Sequence, residues 1–163
     1  MSTTLSPTEA PPQRPHLKAR VLIVDDEPVL RAMASTILAT FGCEVMNVSS
    51  AEEAVELMTF CAGNRKLIDV VILDLVLPGG QSGMEAVRRL QQIHPEVRMI
   101  ASSGFFAGAE SQSSCLDLGF HDILPKPYTA GDLAAIVERN LRATYAYRTA
   151  DAGCEDEAVL CPA

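Results

Sequence analysis

One short apolar run closed by an acid constrains this chain more than any other stretch. Residues 70–73 are Val-Val-Ile-Leu, and Asp74 and the turn sequence Pro-Gly-Gly at 78–80 follow them. Consecutive apolar, mostly β-branched residues are typical of a strand that is buried on both faces, as in a parallel sheet covered by helices. A carboxylate is costly inside such a strand but useful at its carboxyl end, where open α/β sheets bind ligands. Asp74 is therefore the first candidate functional residue.

Similar runs recur along the chain, and helix signals separate them. The other four predicted strands lie near 20–24, 44–48, 97–101 and 123–124. The helix N-termini are marked by Pro28 and by three capping pairs, Ser50 with Glu53, Ser82 with Glu85, and Thr129 with Asp132. A weaker helix is expected over about 108–118, ending at Gly119. Five strands alternating with five helices predict an α/β fold, a doubly wound parallel sheet with helices on both faces.

Two local expectations concern the first two helices. The first helix carries an apolar stripe that we expect to be buried, formed by Val29, Leu30, Met33, Ile37 and Leu38. The second helix is expected to run through Met58, with residues 61–66 forming a loop.

The chain of 163 residues suits a single globular domain with ends to spare. Residues 1–17 hold four Pro with Ser and Thr and predict a disordered leader. Residues 18–145 then form the domain, and 146–163 are expected to be an acidic, flexible tail that is too short for a second module.

Composition excludes several classes of function. The formal net charge of −8 argues against a nucleic-acid binder, because phosphate backbones are held by clustered Lys and Arg. The five Cys are odd in number and form no CxxC pair, so neither a zinc site nor a disulfide framework is expected. No apolar run approaches the roughly 18–20 residues of a membrane span. We therefore expect a soluble, cytoplasmic protein that contacts neither nucleic acid nor membrane.

Polar residues follow the predicted strands, and in a parallel sheet these strand ends meet at one edge. The residues are Asp25, Asp26, Asp74, Ser102, Ser103 and Lys126. Two carboxylates ~4 Å apart repel by on the order of 4 kcal/mol at an effective dielectric of about 20. A hard divalent ion such as Mg²⁺ would offset this repulsion, and a carboxylate beside such an ion and a lysine can accept a phosphoryl group. Taken alone, the adjacent acids at 25–26 are equally well explained as a helix N-cap.

Four motifs occur in a fixed order: Val-Asp-Asp-Glu-Pro at 24–28, Leu-Asp-Leu-Val-Leu-Pro-Gly-Gly-Gln-Ser-Gly at 73–83, Ser-Ser-Gly at 102–104 and Pro-Lys-Pro at 125–127. Over about 18–145 the chain resembles the receiver domain of two-component response regulators. The resemblance implies the flavodoxin-like strand order 2-1-3-4-5.

The resemblance also assigns the acidic residues. It implies that Asp74 accepts the phosphoryl group. It further implies that Asp25 and Asp26 hold Mg²⁺ together with Asp74 and the backbone carbonyl of Val76.

The resemblance assigns two more residues and shows one departure. Ser103, just before Gly104, matches the switch hydroxyl, and Lys126 matches the lysine that contacts the phosphoryl group. The aromatic switch residue usual in the family lies three positions before this lysine, and Ile123 stands there instead. Rotation of an aromatic ring therefore cannot be how this chain signals, and we expect the signal to pass through Ser103 and the helix at 108–118.

The predicted function is a phosphoacceptor switch without further enzyme activity beyond its own phosphorylation and dephosphorylation. The resemblance implies a histidine kinase or phosphotransfer protein as donor. The face formed by the last two helices and the last strand, flanked by Tyr128, Leu133 and Tyr145, would bind a downstream protein or form a homodimer.

Two other functions use a similar architecture. A phosphatase of the haloacid-dehalogenase type also places an aspartate nucleophile at a strand end, but it needs a second acid two residues later, where this chain has Val76. A flavodoxin-like cofactor binder needs a loop of Gly, Ser and Thr after the first strand, where this chain has Asp-Asp-Glu at 25–27.

Overall fold

The sheet is built from the five predicted apolar runs. The structure, a computed structural model, describes residues 17, 19–77, 83–104 and 114–151. Its strands are β1 (Arg20–Val24), β2 (Glu44–Val48), β3 (Val70–Asp74), β4 (Arg98–Ser103) and β5 (Asp122–Pro125). Neighbouring strands are parallel, and their order is β2-β1-β3-β4-β5. The predicted fold class and strand order are confirmed.

Helices cover both faces of this sheet. They are α1 (Pro28–Thr40), α2 (Ala51–Gly63), α3 (Gly83–Ile93), α4 (described over 114–117) and α5 (Ala130–Asp151). Helices α1 and α5 pack on one face, and α2 and α3 pack on the other. The remainder of the helix expected over 108–118, and the proposed cap Ser82, lie outside the described residues. Gly119 ends α4 with a φ of 96°, the left-handed conformation that favours glycine.

Each face of the sheet has its own apolar cluster, because side chains alternate along a strand. In β3, Val71 and Leu73 face the cluster under α2 and α3, whereas Val70 and Ile72 face the cluster under α1 and α5. All four side chains are buried, as expected for a central parallel strand. This alternation also decides which face each strand-end residue occupies.

Two of the predicted helix caps are present. The Glu53 N–H donates to Ser50 Oγ at 3.2 Å at the start of α2. At the start of α5, the Asp132 N–H donates to Thr129 Oγ1 at 3.2 Å, and the Thr129 N–H donates to Asp132 Oδ2 at 2.9 Å. These bonds satisfy amides that a helix N-terminus leaves without intrahelical partners.

The predicted buried stripe of α1 is partly wrong. Val29 and Met33 are 76% and 41% exposed, and the buried residues of α1 are Ala34 and Leu38. Ala34 is small enough to let the helix lie close to the sheet. Hydrophobicity alone favours the larger residues of α1 and overlooks the small residue at the contact.

Two helices are longer than expected, because neither Gly nor Pro occurs in the added stretches 59–62 and 146–151. Helix α2 continues to Gly63, so Cys61 is buried within a helix and not in a loop. Helix α5 continues to Asp151 and includes residues 146–151 of the expected tail. Within the described ranges, none of the helices has the length and hydropathy needed to cross a membrane.

Residues 1–16 of the expected leader lie outside the described residues, whereas its last residue, Leu17, is described. Leu17 is buried in the cluster under α1 and α5, and its N–H donates to the Phe41 carbonyl at 2.7 Å.

Candidate functional site

Three charged residues lie at the carboxyl edge of the sheet on the same face. Asp25 follows β1, Asp74 ends β3 and Lys126 follows β5. Each lies two positions after an apolar residue of the cluster under α1 and α5, namely Ile23, Ile72 and Leu124. Alternation along the strands therefore places the two carboxylates and the lysine on the α1 and α5 side.

Lys126 contacts both buried carboxylates. Its Nζ lies 2.7 Å from Asp25 Oδ2 and 2.6 Å from Asp74 Oδ2. The side chains of Asp25 and Asp74 are 6% and 7% exposed, and that of Lys126 is 16% exposed. The lysine therefore extends from β5 past β4 to reach the ends of β3 and β1.

Backbone amides fix the other oxygens of these two carboxylates. The Val76 N–H donates to Asp74 Oδ1 at 2.8 Å, and the Glu27 N–H donates to Asp25 Oδ1 at 2.8 Å. The Arg31 guanidinium donates to the backbone carbonyl of Asp25. Both carboxylates are thus held in one orientation before any ligand binds.

The third acid completes a group that can hold a metal ion. Ligand oxygens of Asp25, Asp26 and Asp74 all lie within 4.8 Å of one another, and Asp26 is the exposed member. Three carboxylates and the one ammonium of Lys126 leave two negative charges, which a divalent cation neutralises. An all-oxygen ligand set matches the preference of Mg²⁺. The Val76 backbone carbonyl stays a predicted fourth ligand.

The electrostatics of Lys126 reflect its two partners. Burial alone acts to lower the pKa of Lys126, but hydrogen bonds and charge interactions with Asp25 and Asp74 outweigh it. The net effect raises the pKa of Lys126 above its usual value, so the ammonium stays charged at neutral pH.

Tyr128 lies beside the site, which the sequence analysis did not foresee. Burial raises the pKa of its phenol, the Lys126 charge opposes this shift, and the charges of Asp25 and Asp74 add to it. The half-buried ring packs on the cluster under α1 and α5, the face that also carries Lys126. Its position two residues after the lysine is the signal that could have identified it.

The two serines of β4 face opposite sides of the sheet, and both are 3% exposed. Ser102 is in register with Asp74 and shares its face, whereas Ser103 follows Ala101 onto the side of α2 and α3. Half-buried Ile123 also packs on that second side. Ser103 is linked to the site through its backbone, because its carbonyl accepts the Lys126 N–H at 2.9 Å.

The chain matches the family model described as "Response regulator receiver domain" over residues 21–138. It is 38% identical over 116 residues to protein-glutamate methylesterase/protein-glutamine glutaminase 1 of Cereibacter sphaeroides, covering 70% of this chain and 30% of that protein. It is 32% identical over 123 residues to the sensor kinase CckA of Brucella abortus, covering 76% of this chain and 12% of the kinase. The chain thus spans less than a third of either relative.

Solved structures give the same result. The crystal structure of NtrX from Brucella abortus has a TM-score of 0.76 at 25% identity, covering 90% of this chain and 32% of that one. A response regulator receiver domain protein from Clostridium thermocellum has a TM-score of 0.68 at 28% identity, covering 79% of this chain and 98% of that one. With the acidic cluster and its lysine in place at the carboxyl edge of the sheet, the chain belongs to the response-regulator receiver-domain family.

Proposed function

We propose that Asp74 accepts a phosphoryl group from a phosphohistidine of a histidine kinase or phosphotransfer protein, with Mg²⁺ as the required cation. The observation that carries this proposal is the arrangement around Lys126, whose Nζ lies within 2.7 Å of Asp25 Oδ2 and 2.6 Å of Asp74 Oδ2. Adjacent Asp26 adds a third carboxylate and remains exposed to solvent. The site is therefore deficient in positive charge and accessible from one side.

The chemistry is a transfer between two nucleophiles. A carboxylate oxygen of Asp74 forms a bond to phosphorus while the bond between phosphorus and the donor imidazole nitrogen breaks, and its electron pair stays on that nitrogen. Lys126 neutralises one of the transferring phosphoryl oxygens. Bound Mg²⁺ would supply further charge neutralisation, with Asp25, Asp26 and Asp74 as its protein ligands.

The residue two positions after Asp74 favours a phosphoacceptor over a phosphatase. A phosphatase with an aspartate nucleophile needs a proton donor at this position, and Val76 has an apolar side chain that is 54% exposed. What Val76 contributes is its backbone N–H, which holds Asp74 Oδ1 at 2.8 Å.

Exposed apolar residues near the acids support a protein as the donor. Val29 and Met33 lie one helical turn apart on α1, shortly after Asp25, and both are exposed. Val76, close to Asp74, is exposed as well. An apolar rim beside a charged centre suits docking of another protein, since interfaces bury apolar side chains next to the polar groups that they align.

The output of the switch is proposed to pass through Ser103 and the face formed by α4, β5 and α5. In this proposal the Ser103 hydroxyl donates a hydrogen bond to the phosphoryl oxygen and draws its loop towards Asp74. Leu133, expected at this face, is fully buried and cannot bind a partner, which corrects that detail. The side chain of Tyr145 lies outside the described residues. A cytoplasmic location fits such a partner and remains part of the proposal.

The test is phosphorylation by a small phosphodonor in the presence of Mg²⁺, followed by measurement of the mass of the intact protein by mass spectrometry. We expect the parent to gain the mass of one phosphoryl group and Asp74→Asn to gain none. Asp122→Asn is the matched control, because Asp122 lies at the opposite end of the sheet and should not affect labelling. Labelling of Asp74→Asn at the parental level would refute the assignment.

A further inference from the structure

Ser102 carries a buried hydroxyl that the proposed function does not use. The residue is 3% exposed, and its Oγ has no hydrogen-bond partner among the described residues. Buried polar groups are nearly always paired, because leaving one without a partner is unfavourable. A hydroxyl in this position can therefore take a partner that another state of the protein supplies.

The position of Ser102 indicates what that partner is. Ser102 is in register with Asp74 on one side and with Leu124 on the other, so it shares the face that carries Lys126. The lysine starts beyond β5 and reaches β3, so it must pass the end of β4, which lies between them. On this face, Ser102 is the β4 residue closest to the carboxyl edge.

The Lys126 ammonium and a divalent cation compete for the same oxygens. In this structure two of the three ammonium protons are used by Asp25 Oδ2 and Asp74 Oδ2. A cation bound by Asp25, Asp26 and Asp74 would weaken or break the contact of the lysine with Asp25. The ammonium N–H of Lys126 that no longer bonds Asp25 then needs another acceptor inside the protein. A hydroxyl oxygen can serve as that acceptor.

We propose that Ser102 is a positioning residue for Lys126, whose hydroxyl accepts the ammonium hydrogen bond that Asp25 gives up when a divalent cation binds. The inference rests on the cation site of the proposed function. It gives the adjacent serines separate tasks: Ser102 holds the lysine on one face of the sheet, and Ser103 acts from the other. The role of Ser102 belongs to the metal-bound state and precedes phosphorylation.

The test is Mg²⁺ binding to the full chain by calorimetry, together with thermal unfolding without metal. We expect Ser102→Ala to weaken Mg²⁺ binding about tenfold or more, the effect of one hydrogen bond to a charged group. The same variant should unfold no earlier than the parent without metal, because it loses no bond in that state. Ser102→Cys, similar in size but a poor acceptor, should weaken binding as well. Ser102→Thr, which keeps the hydroxyl, should retain parental affinity.

Ser35→Ala is the matched control, since it also removes one serine hydroxyl, but on α1, where Ser35 Oγ accepts a hydrogen bond from Asn47 at 3.2 Å and lies outside the acidic site. It should leave Mg²⁺ affinity unchanged. Equal Mg²⁺ affinity in Ser102→Ala and the parent would overturn the Ser102 proposal and leave the phosphoacceptor proposal intact. A parent that binds no Mg²⁺ would instead overturn the cation site and this inference with it.

Discussion

The two ends of the sheet both place a carboxylate against a cation, but with opposite balances of charge. At the carboxyl end, one lysine contacts two carboxylates that are 6% and 7% exposed. At the amino end of β5, Asp122 Oδ2 alone accepts hydrogen bonds from Arg139 and Asn140 at 2.6–2.9 Å. The Arg139 side chain is 66% exposed, so its charge is also stabilised by water.

The difference favours the carboxyl end of the sheet as the one that binds a ligand. Exposed ion pairs contribute between about 0 and 1 kcal/mol, so the pair of Asp122 with Arg139 is an ordinary surface contact. Breaking a buried pair costs about 3–5 kcal/mol, because it leaves a charge without a partner. At the carboxyl end the charges are both buried and unbalanced. A divalent cation would balance the charges at the carboxyl end, whereas the exposed pair of Asp122 with Arg139 needs no such ligand.

The largest expected effect is that of removing the lysine. Lys126→Met should lower the free energy of unfolding by about 3 kcal/mol without metal, because it leaves Asp25 and Asp74 buried without their cation. Arg139→Met, the equivalent change at the amino end, should cost less than about 1 kcal/mol. Urea denaturation of the two variants measures both values. Equal losses would show that the two ends do not differ as we describe.

Mg²⁺ should distinguish the ends by stabilising only one of them. At about a hundredfold excess over its Kd, the ion should raise the free energy of unfolding by about 2.7 kcal/mol. Asp26→Asn should reduce this gain, since Asp26 is the accessible member of the acidic group. Asp122→Asn should retain the full gain. A metal response that depended on Asp122 would argue against the carboxyl-end site.

A smaller effect, seen by raising the pH, should come from Cys43 at the amino end. Burial, aided by the charge of Asp69, raises the pKa of the Cys43 thiol from 9.0 to about 11. As the pH rises, the thiol loses its proton in the unfolded chain before it does so in the folded protein. Its contribution to the free energy of unfolding is therefore complete below pH 9 and is lost as the pH rises towards 11. We expect a loss on the order of 1–2 kcal/mol over this range.

Cys43→Ala should reduce the decline in stability between pH 9 and 11, as followed by urea denaturation at each pH, and leave the part that comes from Cys115 and Tyr128, whose pKa values are raised by burial as well. The stabilising contribution of Lys126 should persist over most of this range, because its folded pKa is raised above the usual 10.5. It should be lost only as the pH passes through that raised value. If stability fell with pH in Cys43→Ala as steeply as in the parent, the assignment of this loss to the Cys43 thiol would be contradicted.

The strands and the acidic site could be predicted because a buried parallel strand leaves a clear pattern. A continuous apolar run such as 70–73 fits few other structures, and the acid that ends it must lie at the carboxyl edge. Lys126 is separated by 101 residues from Asp25, yet both follow strands, and the topology brings them together. The resemblance added the strand order, which the runs alone did not specify.

The features that the sequence analysis missed depend on which face a residue occupies. Ser102 and Ser103 are identical in chemistry, and only the register of β4 against β3 shows which one shares a face with Asp74. On α1, hydrophobicity favoured Val29 over Ala34, although the smaller residue is the one that packs. Register and packing distance arise from contacts between distant segments, so a local pattern does not reveal them.

The central claim is that the phosphoryl group is carried by Asp74 and by no other residue. The most direct measurement is to phosphorylate the parent with a small phosphodonor and Mg²⁺, reduce the acyl phosphate with borohydride, and locate the modified residue by peptide mass spectrometry. Our account predicts that the aspartate at position 74 alone is converted to homoserine. Conversion at Asp25, Asp26 or Asp122 in its place, or no conversion in a protein that carries phosphate, would contradict it.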